Sequence, residues 1–300
     1  MTPRATGTVL WVAAVILMLS AAVYQERTGP TYPVKGEILV NGKPQRYRLP
    51  RSEESVRDAR IAVPSPGPGA MGLVTWRRYP TDNPFQSILM VQETDEDGRV
   101  MLVAQIPAQR AAGKVEYRVD VTSAAGTVQI PSGGSGPDDG TIVMRFKDPV
   151  PLPILISHIT FMFFAMLMGM RAALGALFAP AGVRRLSWVA LGLMSVGGLI
   201  LGPIVQKHAF GAYWVGFPFG YDLTDNKTLI MWVVWVGACA VLGWKPRAGG
   251  PSWRARLAVL AAAVVMTVVY LIPHSLRGSE LDYRAADVGT PASETIGTEG

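Results

Sequence analysis

Four stretches of this chain, near residues 152–170, 186–206, 228–244 and 255–273, are each almost free of charge and long enough to cross about 30 Å of hydrocarbon as helix. They commit residues 151–276 to a transmembrane domain of about four helices. A charged fraction of only 17% over the whole chain agrees with a membrane part.

A further apolar run, Val9 to Val23 behind Arg4, precedes them. Residues 1–24 read as a signal peptide, with small Ser20, Ala21 and Ala22 near a cleavage site, or as an uncleaved anchor. Both readings export the residues after the run. The run continues to Tyr24 with no clean A-x-A site, which favours the anchor.

Charge sets the orientation. Acids and bases nearly cancel between residues 24 and 150. The connections after the second and fourth spans, counting the N-terminal segment as the first, instead carry Arg171, Arg184, Arg185 and Lys245, Arg247, Arg254, Arg256 with no acid among them. This positive-inside pattern makes those connections cytoplasmic. It places residues 25–150, the 205–227 connection and the tail after His274 on the outer side of a cell (inner) membrane. The net charge of +6 therefore marks topology, and binding of nucleic acid is not indicated. The single cysteine, Cys239, lies within a span, so the outer domain must hold together without disulfides.

From about residue 30 the pattern changes to short β-like runs separated by turn residues. Glu37–Val40 and Gln45–Leu49 flank Asn41-Gly42, a tight-turn dipeptide. Further strands are predicted at Ala59–Val63, Gly72–Arg78, Phe85–Gln92, Val100–Ile106, Val115–Val121 and Thr141–Phe146. Val115, Tyr117, Val119 and Val121 alternate with Glu116, Arg118 and Asp120, as in a half-buried strand. Roughly eight strands imply an all-β two-sheet sandwich over 25–150. The segment Gly113–Val119 resembles a late strand of fibronectin type III or other immunoglobulin-like modules. Such modules most often dock protein partners. Asp148-Pro-Val-Pro-Leu-Pro153 makes a stiff joint that holds this domain close to the membrane. Residues 277–300, polar and rich in Gly, Thr and Glu, read as a disordered outer tail.

The chain has three histidines, and the topology gathers all of them at the outer face. His158 lies about 10 Å into the second span at 1.5 Å per residue. An ionisable group there is costly unless it is paired, hydrated or ligating. Met162 and Met166 follow it at helical spacing, which suits a cofactor wall and equally suits core packing. His208 ends the third span and His274 ends the fifth. The connection from His208 to Trp232 is rich in glycine and aromatics, including Tyr213 and Trp214; it reads either as a shaped aromatic shelf or as an interfacial belt. Asp222 and Asp225 sit where a helix start needs capping, and no H-x-x-x-H or H-E-x-x-H spacing favours zinc.

His158 in a span, Phe210-Gly-Ala-Tyr-Trp214, Asp222 to Trp232 opening the next span, and His274 at an outer helix end together resemble the haem-handling cytochrome c assembly proteins of the WWD type. The resemblance covers 151–276 and implies haem at the outer face, with His158 and His274 as axial iron ligands and His208, Tyr213 and Trp214 around the cofactor. Haem ligation also needs cations near the haem carboxylates, and Lys207 or Lys227 are the candidates. No catalytic residue is implied. A different reading of the same chain is a non-enzymatic accessory or scaffold subunit that docks a partner through its sandwich.

Overall fold

The computed structural model describes residues 2–40, 42–131, 140–246, 248–273, 280–290 and 295–296. Helix α1 (Pro3–Thr28) leads into a β domain, and helices α2 (Leu152–Phe178), α3 (Val183–Met194), α4 (Gly202–Phe210), α5 (Leu223–Leu242) and α6 (Trp253–Leu271) follow it. α3 and α4 are one continuous helical run, so among the described residues five helices are long and apolar enough to cross a membrane. The chain is a membrane protein with a helical part and a separate β domain. Thr28, Leu152, Phe210, Leu223 and Leu271 all lie at the β-domain end of their helices.

The β domain contains β1 (Val34–Val40), β2 (Lys43–Leu49), β3 (Ser52–Glu54), β4 (Ala59–Pro64), β5 (Met71–Tyr79), β6 (Gln86–Leu89), β7 (Val91–Thr94), β8 (Val100–Ile106), β9 (Lys114–Ser123), β10 (Gly126–Ile130) and β11 (Ile142–Lys147). One sheet runs β3-β11-β9-β5-β6 with β10 also on β9; a second runs β4-β8-β7; β1 and β2 form a hairpin. Asn41 lies outside the described residues, while Gly42 takes the left-handed φ of +76° that its turn needs. The alternating faces of β9 come out as expected: Val115, Tyr117, Val119 and Val121 enter a core shared with Ile61, Leu102 and Phe146. Glu116, on the other face, is also buried, because Arg77 pairs with it and the Thr141 hydroxyl donates to it at 3.0 Å.

The run Phe85–Gln92, expected as one strand, is two. β6 pairs with β5 in one sheet, and β7 pairs with β8 in the other. The chain changes sheets at Met90, whose N–H donates to the Gly72 carbonyl at 2.8 Å and whose side chain is buried. A Cβ on residue 72 would sit 2.5 Å from Met90 Sδ, so glycine is what lets the crossing pack. The sequence reading places no strand at β3 or β10: β3 has no apolar residue, and β10 is five residues long with only Ile130 buried. β3 is a polar three-residue edge held parallel to β11.

In the helical part, Trp235 is fully buried and donates its Nε1–H to Met266 Sδ at 3.2 Å. Gly169 of α2 admits this pair, since a Cβ there would lie 2.8 Å from Trp235 Cζ2. α1 joins the same core through Ala14, Met18 and Ala21. Between α3 and α4, Ser195–Leu201 is π-helical. Pro203 explains it: proline has no N–H for the carbonyl four residues back and its ring displaces that carbonyl, so the ladder widens ahead of it. Arg171 was assigned by sequence to a connection but lies inside α2, buried, with its guanidinium 5.4 Å from the Trp11 ring of α1. A single arginine does not end a helix when its stem can lie along it and an aromatic face receives the charge.

The stretch expected as a disordered tail differs from expectation where it is described. Residues 280–290 lie against the β domain and include a short helix, α7 (Tyr283–Asp287). Leu281, Tyr283, Ala286 and Ile296 are buried with Ala112. Glu280 pairs with Lys114, Asp287 with Arg78, and the Ala286 carbonyl accepts from Arg110 at 2.7 Å. The low-complexity composition hid four anchoring side chains spaced along an otherwise polar stretch. Burial lowers the pKa of Lys114, opposed by Glu280. Tyr283→Phe removes the hydroxyl that donates to the Lys114 carbonyl at 2.7 Å. That substitution is expected to cost about 1 kcal/mol, measured as a lower denaturation midpoint of the β domain.

Candidate functional site

The β-domain end of the helices holds a half-open cavity of about 710 Å³. α2 contributes Leu155, His158, Ile159, Met162 and Phe163; the π segment and α4 contribute Gly198, Gly202, Gln206 and Phe210. α5 adds Lys227, Thr228 and Met231, α6 adds Tyr270, and Glu26, Tyr32 and Arg48 come from the α1 end and the first hairpin. The volume is that of an ordinary small-molecule site, apolar on one side and polar on the other.

His158 is the ionisable group that α2 contributes to this cavity. Its Nδ1 lies 2.8 Å from the Gly197 carbonyl oxygen. A carbonyl only accepts, so Nδ1 carries a proton, and in the neutral ring Nε2 keeps its lone pair. The π segment makes this contact possible. Gly197 and Gly198 let it approach α2 and α5, because a Cβ on Gly197 would meet Phe161 Cβ at 2.9 Å and one on Gly198 would meet Thr228 Cγ2 at 2.7 Å.

The polar side is a buried set of charges. Lys227 is 3% exposed and donates to the Ile272 carbonyl. Asp222 caps α5, accepting from the Asp225 N–H at 3.0 Å, as its place before an apolar run predicts. Asp225 instead reaches back, accepting from the Val215 N–H at 2.7 Å. Arg145 of β11 sits 4.7 Å over the Phe210 ring; burial lowers its pKa to about 10, opposed by Asp222 and Glu280. The β domain and the helices therefore meet through Phe210, which packs against the Ala112, Leu281 and Tyr283 cluster and receives the Arg145 guanidinium on its ring.

Of the residues singled out from sequence, the structure brings His158, Met162, Asp222, Asp225 and Lys227 to the cavity. His208 is exposed at the end of α4, and neither it nor Tyr213 nor Trp214 lines the cavity. Trp214 donates its Nε1–H to the Phe217 carbonyl at 3.1 Å, and Lys207 donates to Gly211 at 2.6 Å, so both serve their own connection. His274 lies outside the described residues; in sequence it follows Ile272, the acceptor of Lys227, by two positions. Among the described residues no three His, Cys, Asp or Glu side chains converge as a metal site, so His158, His208 and an aspartate do not form one. Sequence reading missed Gln206, Met231, Tyr270 and Arg48, which carry no local signal.

No family model matches this chain, and no curated protein or solved structure matches it either. Its class rests on its own architecture, a helical membrane protein with a β domain and a cavity where the two meet.

Proposed function

We propose that this chain is a haem-binding membrane protein of the cytochrome c assembly type, holding haem at the outer face with its immunoglobulin-like β domain on the extracytoplasmic side. The observation that carries the reading is His158: a cavity-lining imidazole whose Nδ1 proton is committed to Gly197, leaving Nε2 to ligate iron. Leu155, Ile159, Met162 and Phe163 offer an apolar wall on the same helix, and Lys227 and Arg48 offer cations for the carboxylates. Haem so held supplies a redox-active iron close to the membrane surface. Within this reading His158 would ligate the iron, the α2 wall would exclude water, and Lys227 would offer its ammonium group to a haem carboxylate. His274 would be the second iron ligand. Orientation is supported by the far helix ends, where Arg256 donates to the last carbonyls of α2 and Arg184 to the Trp244 carbonyl, with no acid in either far connection.

The test is an absorption spectrum of the detergent-purified full chain, oxidised and dithionite-reduced, with and without added haem. A Soret band with sharp reduced α and β peaks that His158→Ala abolishes is the expected result. A colourless folded protein after haem addition, or an unchanged band in the variant, overturns the reading.

A second reading, a non-enzymatic scaffold docking a partner through the β domain, is favoured by one observation. Met71, Leu89 and Val91 are exposed together where the chain crosses between sheets. On that reading Leu89→Glu releases a co-purifying partner while the spectrum stays featureless.

A further inference from the structure

The connection between α4 and α5 presents its aromatic side chains outward. Phe217, Phe219, Tyr221 and Tyr213 are 65%, 82%, 74% and 60% exposed. From Ala209 to Tyr221 there is no acid and no base. In a water-facing loop such a display costs solubility and gains nothing.

The backbone is treated the opposite way. Besides the Asp225 contact to Val215, Asn226 Oδ1 accepts from the Phe217 N–H at 2.7 Å, and the Gly216 carbonyl accepts from both Phe219 and Gly220 at 2.9 and 3.0 Å. The Asp222 N–H donates to Val215 at 3.0 Å. Gly216 lies so close to α5 that a Cβ would stand 2.5 Å from Asp225 Cβ. Polar backbone groups satisfied from within, with apolar side chains turned out, are what a segment needs to lie in a lipid interface, where water is scarce. The connection also leaves one candidate span at Phe210 and enters the next at Leu223, which puts it at headgroup level.

We infer that residues 211–221 form a rigid aromatic wedge seated in the lipid headgroup and upper acyl region beside the cavity. Its partner is the bilayer surface itself, and Phe219 is its deepest side chain. The wedge fixes the depth of the α4–α5 end, so that Gln206 and Phe210, on the cavity wall, stand at the boundary between lipid and the β domain. This inference stands apart from haem: it holds whatever the cavity takes.

The experiment uses the full chain in phosphatidylcholine nanodiscs, in a Cys239→Ala background, with nitroxide labels on Phe219→Cys, on Tyr221→Cys as a second site, and on Val128→Cys as an aqueous reference on exposed β10. Relaxation by dissolved oxygen is compared with relaxation by a water-soluble nickel chelate. An oxygen-to-nickel ratio several-fold higher at 219 and 221 than at 128 is expected. A ratio equal to that at 128 overturns the inference, since the loop is then in water. Protection from both reagents also overturns it, because a second copy of the chain then covers the loop.

Discussion

Trp235→Ala is expected to destabilise the helical part by about 3 kcal/mol or more, the largest loss any single substitution there should cause. The indole is fully buried, wedged against Gly169 and bonded to Met266 Sδ. In lipid, helices gain little from hydrophobic transfer among themselves, so the loss is one of packing contacts and cavity formation. Trp235→Phe retains most of the ring and is expected to cost less than about 1.5 kcal/mol. Thermal unfolding in detergent, followed by near-ultraviolet circular dichroism, checks both values. A melting temperature unmoved by the alanine variant would mean that α2, α5 and α6 do not share the core described.

The second large effect belongs to the β domain. Glu116 is buried and takes its charge compensation from Arg77, whose guanidinium also rests 4.4 Å over the Phe85 ring. Arg77→Ala strands the carboxylate beneath β5 with the Thr141 hydroxyl still donating to it, a change expected to cost about 3–5 kcal/mol. Replacing both residues by methionine is expected to recover most of the loss, because a buried pair is expensive to break and cheap to replace as a unit. Hydrogen exchange of β9 peptides distinguishes these outcomes: fast exchange in the single variant, near-native protection in the double. Equal protection in the single variant would show that the pair contributes nothing.

Much of this architecture was legible beforehand, for local reasons. The long charge-free runs became helices, and the period-two alternation of Val115–Val121 became the buried face of β9. Asp222 was recognisable as a cap. What escaped was every feature set by distant residues. The split at Met90 depends on Gly72, eighteen positions earlier in the chain, and β3 exists only because β11 offers it an edge. The 277–300 stretch reads as disordered on composition, yet Leu281, Tyr283 and Ile296 find a hydrophobic seat over Ala112, and Glu280 finds Lys114.

The candidate site divides in the same way. His158 could be singled out because a histidine in a span demands an explanation wherever the chain goes. Its proton assignment could not, since that needs the Gly197 carbonyl brought across by a π segment. Equally, Tyr213 and Trp214 look like cofactor walls in sequence order, but Asp225 and Asn226 accept from Val215 and Phe217 and hold their connection against the start of α5, and neither aromatic lines the cavity. Sequence alone determined which segments are apolar enough to enter a membrane, which residues can carry a charge there, and where charge is excluded. Periodicity and composition are properties each segment owns. Only the tertiary structure decided which of those residues face one another, because a cavity, a buried ion pair or a sheet crossing is made by side chains from elements far apart in the chain.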